Sequence, residues 1–363
     1  MNKSNATIEL KNISKQFKKN TIIDGMDLSV KAGEFLVLLG PSGCGKSTTL
    51  RMIAGLEEPT SGQVMIDNRD LRELKNDGHT IAMVFQDYAL YPNMTVYQNL
   101  EYALKIHKVA KDERQKRIEN VLETLNLTKY RDRLPSQLSG GQKQRVAVGR
   151  GMVKKSEIFL LDEPLSNIDV QLREKARDEI QNLHATNQQT IVYVTHDQLE
   201  AMALGDRIAV MDQGIIQMID VPENIYNNPA NLFVAEFIGT PQINVIEVEY
   251  KDSNVLFNNK SILADQNLNL KEQKYRLGIR PENLFCSKER QNSQDLELTV
   301  ENIIDYGRFV QLSLVNDEGL TLKSIVNTFE FNVNEKVFVH LKKATSLLFD
   351  YEIGKNLNWG NYE

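Results

Sequence analysis

Residues 34–56 read "EFLVLLGPSGCGKSTTLRMIAGL", and no other stretch of the 363-residue chain restricts its fold as tightly. The apolar run "FLVLL" has no polar alternation, which suits a strand buried on both faces, and such strands belong to parallel sheets covered by helices. "KSTTLRMIAGL" then has helical periodicity and stops at Gly55. Between them, "GPSGCGKS" fits the G-x-x-x-x-G-K-[ST] pattern of a phosphate loop. Gly40, Pro41, Ser42, Gly43, Cys44, Gly45, Lys46, Ser47 and Thr48 are expected to form the loop around a nucleotide's phosphates, its glycines letting backbone N–H groups turn inward. Lys46 brings a point charge to the β and γ groups, and the Ser47 hydroxyl suits magnesium.

The later runs "TIAMVF", "EIFLLD", "TIVYVT" and "RIAVMD" are further strands separated by helical stretches, which predicts an α/β fold. "IFLLDE" ends in two carboxylates at the C-terminal end of a buried strand, where open α/β sheets bind ligands. Asp162 reaches toward the metal, while Glu163 points away from its neighbour and suits an attacking water, orienting it or taking its proton. That pairing predicts hydrolysis rather than binding alone. His196, in "VYVTHD", and Gln86, in "MVFQDYALYP", also follow strands; taken alone, each fits an ordinary structural polar group as well as a catalytic one. His107, His184 and His340 are read as structural. "MDQGII" predicts a hairpin with a tight glycine turn.

Residues 96–134 read as mainly helical, including the charged stretch "KDERQKRIENVLETL", so a helical subdomain is expected over about residues 96–155. After residue 240 short alternating runs such as "INVIEVEY" and "VQLSLV" take over, which predicts a domain of residues 1–239 and a small β-rich domain of residues 240–363. The net charge is −6, and from Pro241 onward 14 Lys and Arg face 18 Asp and Glu, so no nucleic-acid partner is expected. No apolar run approaches a bilayer span, and the first residues hold no secretory signal, so membrane contact is expected only through a partner. The two cysteines, Cys44 and Cys286, have no neighbour at metal spacing.

A second glycine motif, "LSGGQ" at residues 138–142, gives the chain more phosphate-binding capacity than one nucleotide requires. Ser139 and the Gly140 and Gly141 amides open a helix, and a helix start is an anion site. Together the phosphate loop, Gln86, "LSGGQ", "LLDE" and His196, in this order, resemble the ATP-binding subunits of ABC transporters over roughly residues 8–244. The resemblance implies a P-loop ABC-type nucleotide-binding domain with a helical subdomain, followed by an OB-like regulatory domain. It implies ATP and Mg2+ as ligands and a homodimer, or a dimer with a close paralogue, in which the Ser139, Gly140, Gly141 and Gln142 signature of one chain closes over ATP held by the other. Phe17 would stack on adenine, Gln86 would couple to two transmembrane permease subunits and touch the metal or water, and His196 would contact the γ-phosphate. Asp169, in "SNID", would contact the partner chain.

Within the family, "GPSGCGKSTTLRMIAGLE", "MVFQDYALYPNMTVYQNL", "VTHDQLEAM", "FIGTPQIN" and "LGIRPEN" look like the ATPases of maltose and maltodextrin importers, fed by an extracytoplasmic solute-binding protein. Such a subunit works at the cytoplasmic face of the membrane. Importers of glycerol 3-phosphate, polyamines and ferric iron carry similar ATPases, and a soluble ABC ATPase is the more distant alternative. The sequence departs from the importers with "GRG", Lys154, Lys155 and Ser156 after the signature, Ile168 in "SNID", and "RPEN"; none removes a catalytic group.

Overall fold

The computed structural model describes residues 6–74, 81–85, 88–154, 156–166, 168, 170–264, 270–327 and 330–357, with the side chains of 170–172 and 187 excepted. The chain divides into two compact units, Met1–Pro222 and Glu223–Glu363.

In the first unit, β1 (Ile8–Phe17) and β2 (Asn20–Val30) form a hairpin. β3 (Phe35–Leu39) follows, and α1 (Lys46–Ile53) leads into β4 (Ser61–Ile66) and the short β5 (Arg69–Asp70). Among the described residues, β2, β1, β4 and β5 lie side by side in one antiparallel sheet.

The second sheet holds β6 (Ile81–Val84), β7 (Ile158–Asp162), β8 (Thr190–Thr195), β9 (Arg207–Asp212) and β10 (Ile215–Asp220) beside β3. Its order is β10-β9-β3-β8-β7-β6, parallel except for β10. Every residue of β3, β7 and β8 is buried, as the unbroken apolar runs require. Each large aliphatic side chain there contributes about 1.5–3 kcal/mol by leaving water, so the strand ends that carry the site rest on a rigid base. The hairpin turn falls at Gln213 and Gly214, both with positive φ, as "DQG" leads one to expect.

Between β6 and β7 the chain forms α2 (Val96–Ile106), α3 (Lys111–Thr124) and α4 (Gly140–Lys154), the helical insert read from the sequence. Leu100, Leu104, Ile118, Val121, Leu122 and Val146 give it a core of its own. α5 (Val170–Asn187) and α6 (Gln198–Leu204) flank the large sheet's later strands. No helix among the described residues is long and apolar enough to cross a membrane.

The second unit opens with α7 (Pro222–Asn227) and α8 (Leu232–Phe237) and is otherwise β-rich. Its strands are β11 (Asn244–Lys251), β12 (Asn254–Phe257), β13 (Lys260–Ala264), β14 (Gln273–Ile279) and β15 (Phe285–Ser287). They continue with β16 (Leu296–Asp305), β17 (Val310–Val315), β18 (Thr321–Val326), β19 (Lys336–His340) and β20 (Ser346–Asp350). Among the described residues they form two antiparallel sheets, β13-β12-β11-β14-β20 and β15-β19-β16-β17-β18, around one core.

The sequence texture groups α7 and α8 with the first domain, whereas in the structure they cluster mostly with the β-rich unit. Arg280 of "LGIRPEN" is the reason. Only 4 % exposed, its guanidinium donates to the carbonyls of Ala235 and Tyr226, both at 2.9 Å, and to that of Ile238, and it lies 4.2 Å from the centre of the Tyr226 ring. Burial pulls the Arg280 pKa down from its ordinary value. Tyr226 in turn donates to Glu282 at 2.6 Å, and its phenol is pushed up to about 12, by burial first and by Glu282 second. Asn356 also ties the segment between the two helices down, donating to Asn228 Oδ1 at 3.2 Å and to the Pro229 carbonyl at 2.8 Å. Arg280→Ala is therefore expected to destabilise this unit by about 3 kcal/mol, because buried carbonyls lose their donors. Chemical denaturation of the full chain, followed by probes placed in each unit, checks that the loss falls on the second.

Candidate nucleotide site

The phosphate loop sits where β3 ends and α1 begins, at the C-terminal edge of the parallel sheet. Gly43 and Gly45 have φ of +82° and +104°, values that side-chain-bearing residues rarely adopt. Gly40 has no room for a methyl group: a Cβ there would lie 2.2 Å from the Met211 carbonyl oxygen and 2.9 Å from Cys44 Sγ. The hairpin turn supports the loop from behind, as Gly214 N–H donates to the Cys44 carbonyl at 3.1 Å. Gly214 is packed against β2, where a Cβ would meet the Ile22 carbonyl oxygen at 2.2 Å. Sequence reasoning found this turn but not its role, which depends on strands far apart in the chain. Lys46 is 5 % exposed, and its ammonium donates to the Gly40 and Pro41 carbonyls, both at 2.8 Å, holding its charge within the loop.

Neighbouring strand ends bring the other groups to the same edge. Ser47 donates to Asp162 Oδ1 at 2.7 Å. Burial raises the Asp162 carboxyl pKa, while the Ser47 hydrogen bond and Arg51 oppose that shift. Directly after it the backbone turns left-handed at Glu163, with φ of +44°, a conformation that costs a non-glycine residue about 1–2 kcal/mol. Glu163 N–H donates to the Val194 carbonyl at 3.0 Å, and Ser166 Oγ donates to the Glu163 carbonyl at 3.0 Å, which holds the turn. The turn separates the two carboxylates and brings Glu163 Oε1 to 3.3 Å from His196 Nδ1. Asp162 is thus bonded to Ser47, and Glu163, next in the chain, stands beside His196.

Beneath His196, Glu200 accepts from Tyr193 at 2.8 Å and Thr195 at 2.7 Å, and burial raises its pKa. Asp197 caps α6 through the Leu199 and Glu200 amides. Arg173 spans from the Ile168 carbonyl, at 3.2 Å, to Asp197 Oδ2, at 3.4 Å, linking the segment after Glu163 to the segment after His196. Nothing in the spacing of "REKARDEI" marks Arg173 for this task.

Ser139 and Gln142 cap α4 reciprocally: Ser139 N–H donates to Gln142 Oε1 at 3.0 Å and Gln142 N–H to Ser139 Oγ at 3.4 Å. This is a capping box, and the spacing S-x-x-Q in "LSGGQ" was the signal for it. His184 Nε2–H donates to the Gly33 carbonyl at 2.9 Å and the ring meets Phe35 edge-on, a structural role as read. Gln86 and Asp169 lie outside the described residues. The chain just after Gln86 is anchored by Asn99, which bonds the Tyr91 amide at 2.9 Å and the Met94 carbonyl at 2.9 Å, and by Arg150, which donates to the Ala89 carbonyl. Phe17, at the end of β1, is 45 % exposed.

A phosphate loop at the end of a parallel strand, with Ser47, Asp162, Glu163 and His196 brought to it, defines a P-loop ATPase of the α/β class. Residues 23–166 match the ABC transporter family model. The chain is 49 % identical over 266 residues to the diacetylchitobiose uptake system ATP-binding protein MsiK of Streptomyces coelicolor, covering 72 % of this chain and 70 % of that one. It is 47 % identical over 294 residues to the trehalose/maltose import ATP-binding protein MalK of Thermococcus litoralis, covering 77 % and 79 %. Among solved structures, a dimeric ATP-binding cassette in a post-hydrolysis state bound to ADP and Pi matches with TM-score 0.55 and 34 % identity, over 59 % of this chain and 98 % of that one. The chain belongs to the ABC transporter family, as an ATP-binding subunit that hydrolyses ATP.

Proposed function

We propose that two copies of this chain, or this chain and a close paralogue, pack head to tail and power a carbohydrate importer by ATP hydrolysis. ATP held by the phosphate loop of one chain is closed over by Ser139, Gly140, Gly141 and Gln142 of the other. The observation that carries the hydrolysis in this reading is the pairing of Ser47, in the first turn of α1, with Asp162, the last residue of β7, at 2.7 Å, and of Glu163 with His196, just after the adjacent strands β7 and β8, at 3.3 Å. Two hard oxygen donors in contact suit Mg2+, so Ser47 and Asp162 would hold it, with Gln86 as a further ligand. When bound, the ion supplies neutralisation of phosphate charge.

The chain's own groups carry the rest. Lys46 binds the β and γ oxygens, and Glu163 orients the attacking water and accepts its proton. His196 holds Glu163 in place and contacts the γ-phosphate. Phe17 stacks on adenine, and Asp169 contacts the partner chain. ATP and water leave as ADP and phosphate; binding closes the dimer and hydrolysis reopens it.

The names of the relatives, uptake of diacetylchitobiose and import of trehalose and maltose, support sugar as the solute class. In this reading the first unit is the ATPase domain and the β-rich unit is an OB-like regulatory domain, with α7 and α8 standing mostly in the second rather than in the 1–239 span read from the sequence. The subunit sits peripherally at the cytoplasmic face, under two permease subunits that an extracytoplasmic solute-binding protein serves. Nucleic acid is not a partner. The test captures the Glu163→Gln chain with ATP from detergent-solubilised native membranes. Recovery of a permease pair with a sugar-binding protein supports the importer, whereas repeated recovery of ribosomal or DNA-repair proteins without membrane subunits contradicts it.

A further inference from the structure

Lys15, on β1, has a side chain only 10 % exposed, and lysines are rarely buried without partners. This one has three. Its ammonium donates to the Glu58 carbonyl at 2.7 Å, pairs with Glu57 at 2.5 Å, and stands 4.7 Å from the centre of the Phe17 ring. The segment holding Glu57 and Glu58 is itself tied to β1, by Thr60 N–H to the Ser14 carbonyl at 2.8 Å and Gln16 N–H to Thr60 Oγ1 at 3.0 Å. Phe17 lies at the tip of the first hairpin, opposite Asn20, with Lys18 at φ +55° in the turn. An exposed ring at a hairpin tip has few neighbours to fix its rotamer. A cation over its face supplies that restraint.

We propose that Lys15 is a positioning residue for the nucleotide base: anchored by Glu57 and the Glu58 carbonyl, it fixes the Phe17 ring as the platform on which adenine stacks. The inference rests on the reading of Phe17 as the adenine contact. It adds a requirement for a charge that never touches the nucleotide. Lys15→Met keeps the stem and removes the cation, and Lys15→Arg keeps a cation.

The test measures ATP binding, KM and kcat for Lys15→Met, Lys15→Arg, Phe17→Ala and the Lys15→Met/Phe17→Ala double variant, with inorganic tripolyphosphate as a ligand lacking the base. Lys15→Met is expected to weaken ATP binding and raise KM about ten-fold with kcat nearly unchanged. Tripolyphosphate binding should hold, which also reports an intact fold. Lys15→Arg should recover most of the loss, and Lys15→Met should add nothing once Phe17 is Ala. If Lys15→Met weakens ATP and tripolyphosphate alike, or costs as much in the Phe17→Ala background, Lys15 is a pin for the 57–60 segment and the proposal falls. If Phe17→Ala weakens ATP binding and Lys15→Met does not, the proposal falls alone; if Phe17→Ala leaves ATP binding unchanged, the adenine reading falls with it.

Discussion

Glu163→Gln is expected to bind ATP with nearly the wild-type affinity while turnover drops about a thousand-fold, the range that removal of a general base produces. The substitution preserves shape but removes the carboxylate that the left-handed turn sets beside His196. Lys46 and the loop amides remain, so the phosphates keep their principal contacts. ATP then accumulates unhydrolysed, and the closed dimer should persist in ATP and dissociate in ADP. Single-turnover hydrolysis and light scattering in each nucleotide check both halves. A variant with wild-type turnover would remove Glu163 from the chemistry.

Lys46→Ala is expected to weaken ATP binding by about a hundred-fold, within the range for truncating one partner of a buried, hydrogen-bonded charge pair. In the structure its ammonium lies within the loop, bonded to the Gly40 and Pro41 carbonyls, so the variant loses a pre-placed charge rather than a mobile surface one. Calorimetric titration with ATP measures the effect, and the unfolding temperature without nucleotide controls for damage to the loop. Unchanged affinity would mean that the loop does not hold the phosphates.

The phosphate loop was legible in the sequence because backbone geometry forces its composition: Gly43 and Gly45 adopt positive φ, and Gly40 has the Met211 carbonyl where a side chain would start. The buried strands were legible for a similar reason, since a sheet covered on both faces leaves no room for alternation. The Ser139–Gln142 capping box was also written in the sequence, at its usual spacing, within the family signature itself. The left-handed turn at Glu163 was not legible, because it is held by the Val194 carbonyl of a distant strand. Arg173 and Gly214 escaped for the same cause: each acts on segments remote in sequence. The change of texture near residue 240 marks where strands begin. What draws α7 and α8 to that unit is Arg280, whose contacts no local pattern records.

The most direct test of the account is complementation between two inactive chains, one carrying Ser139→Arg and the other Lys46→Ala. Each homodimer has both sites broken, since every site lacks either its signature or its phosphate loop. In a heterodimer purified through two different tags, one site combines both defects and the other has neither. Head-to-tail sharing predicts that ATPase activity, absent from both homodimers, returns in the heterodimer. Heterodimers verified by mass that remain as inactive as the parents would contradict the two-chain site.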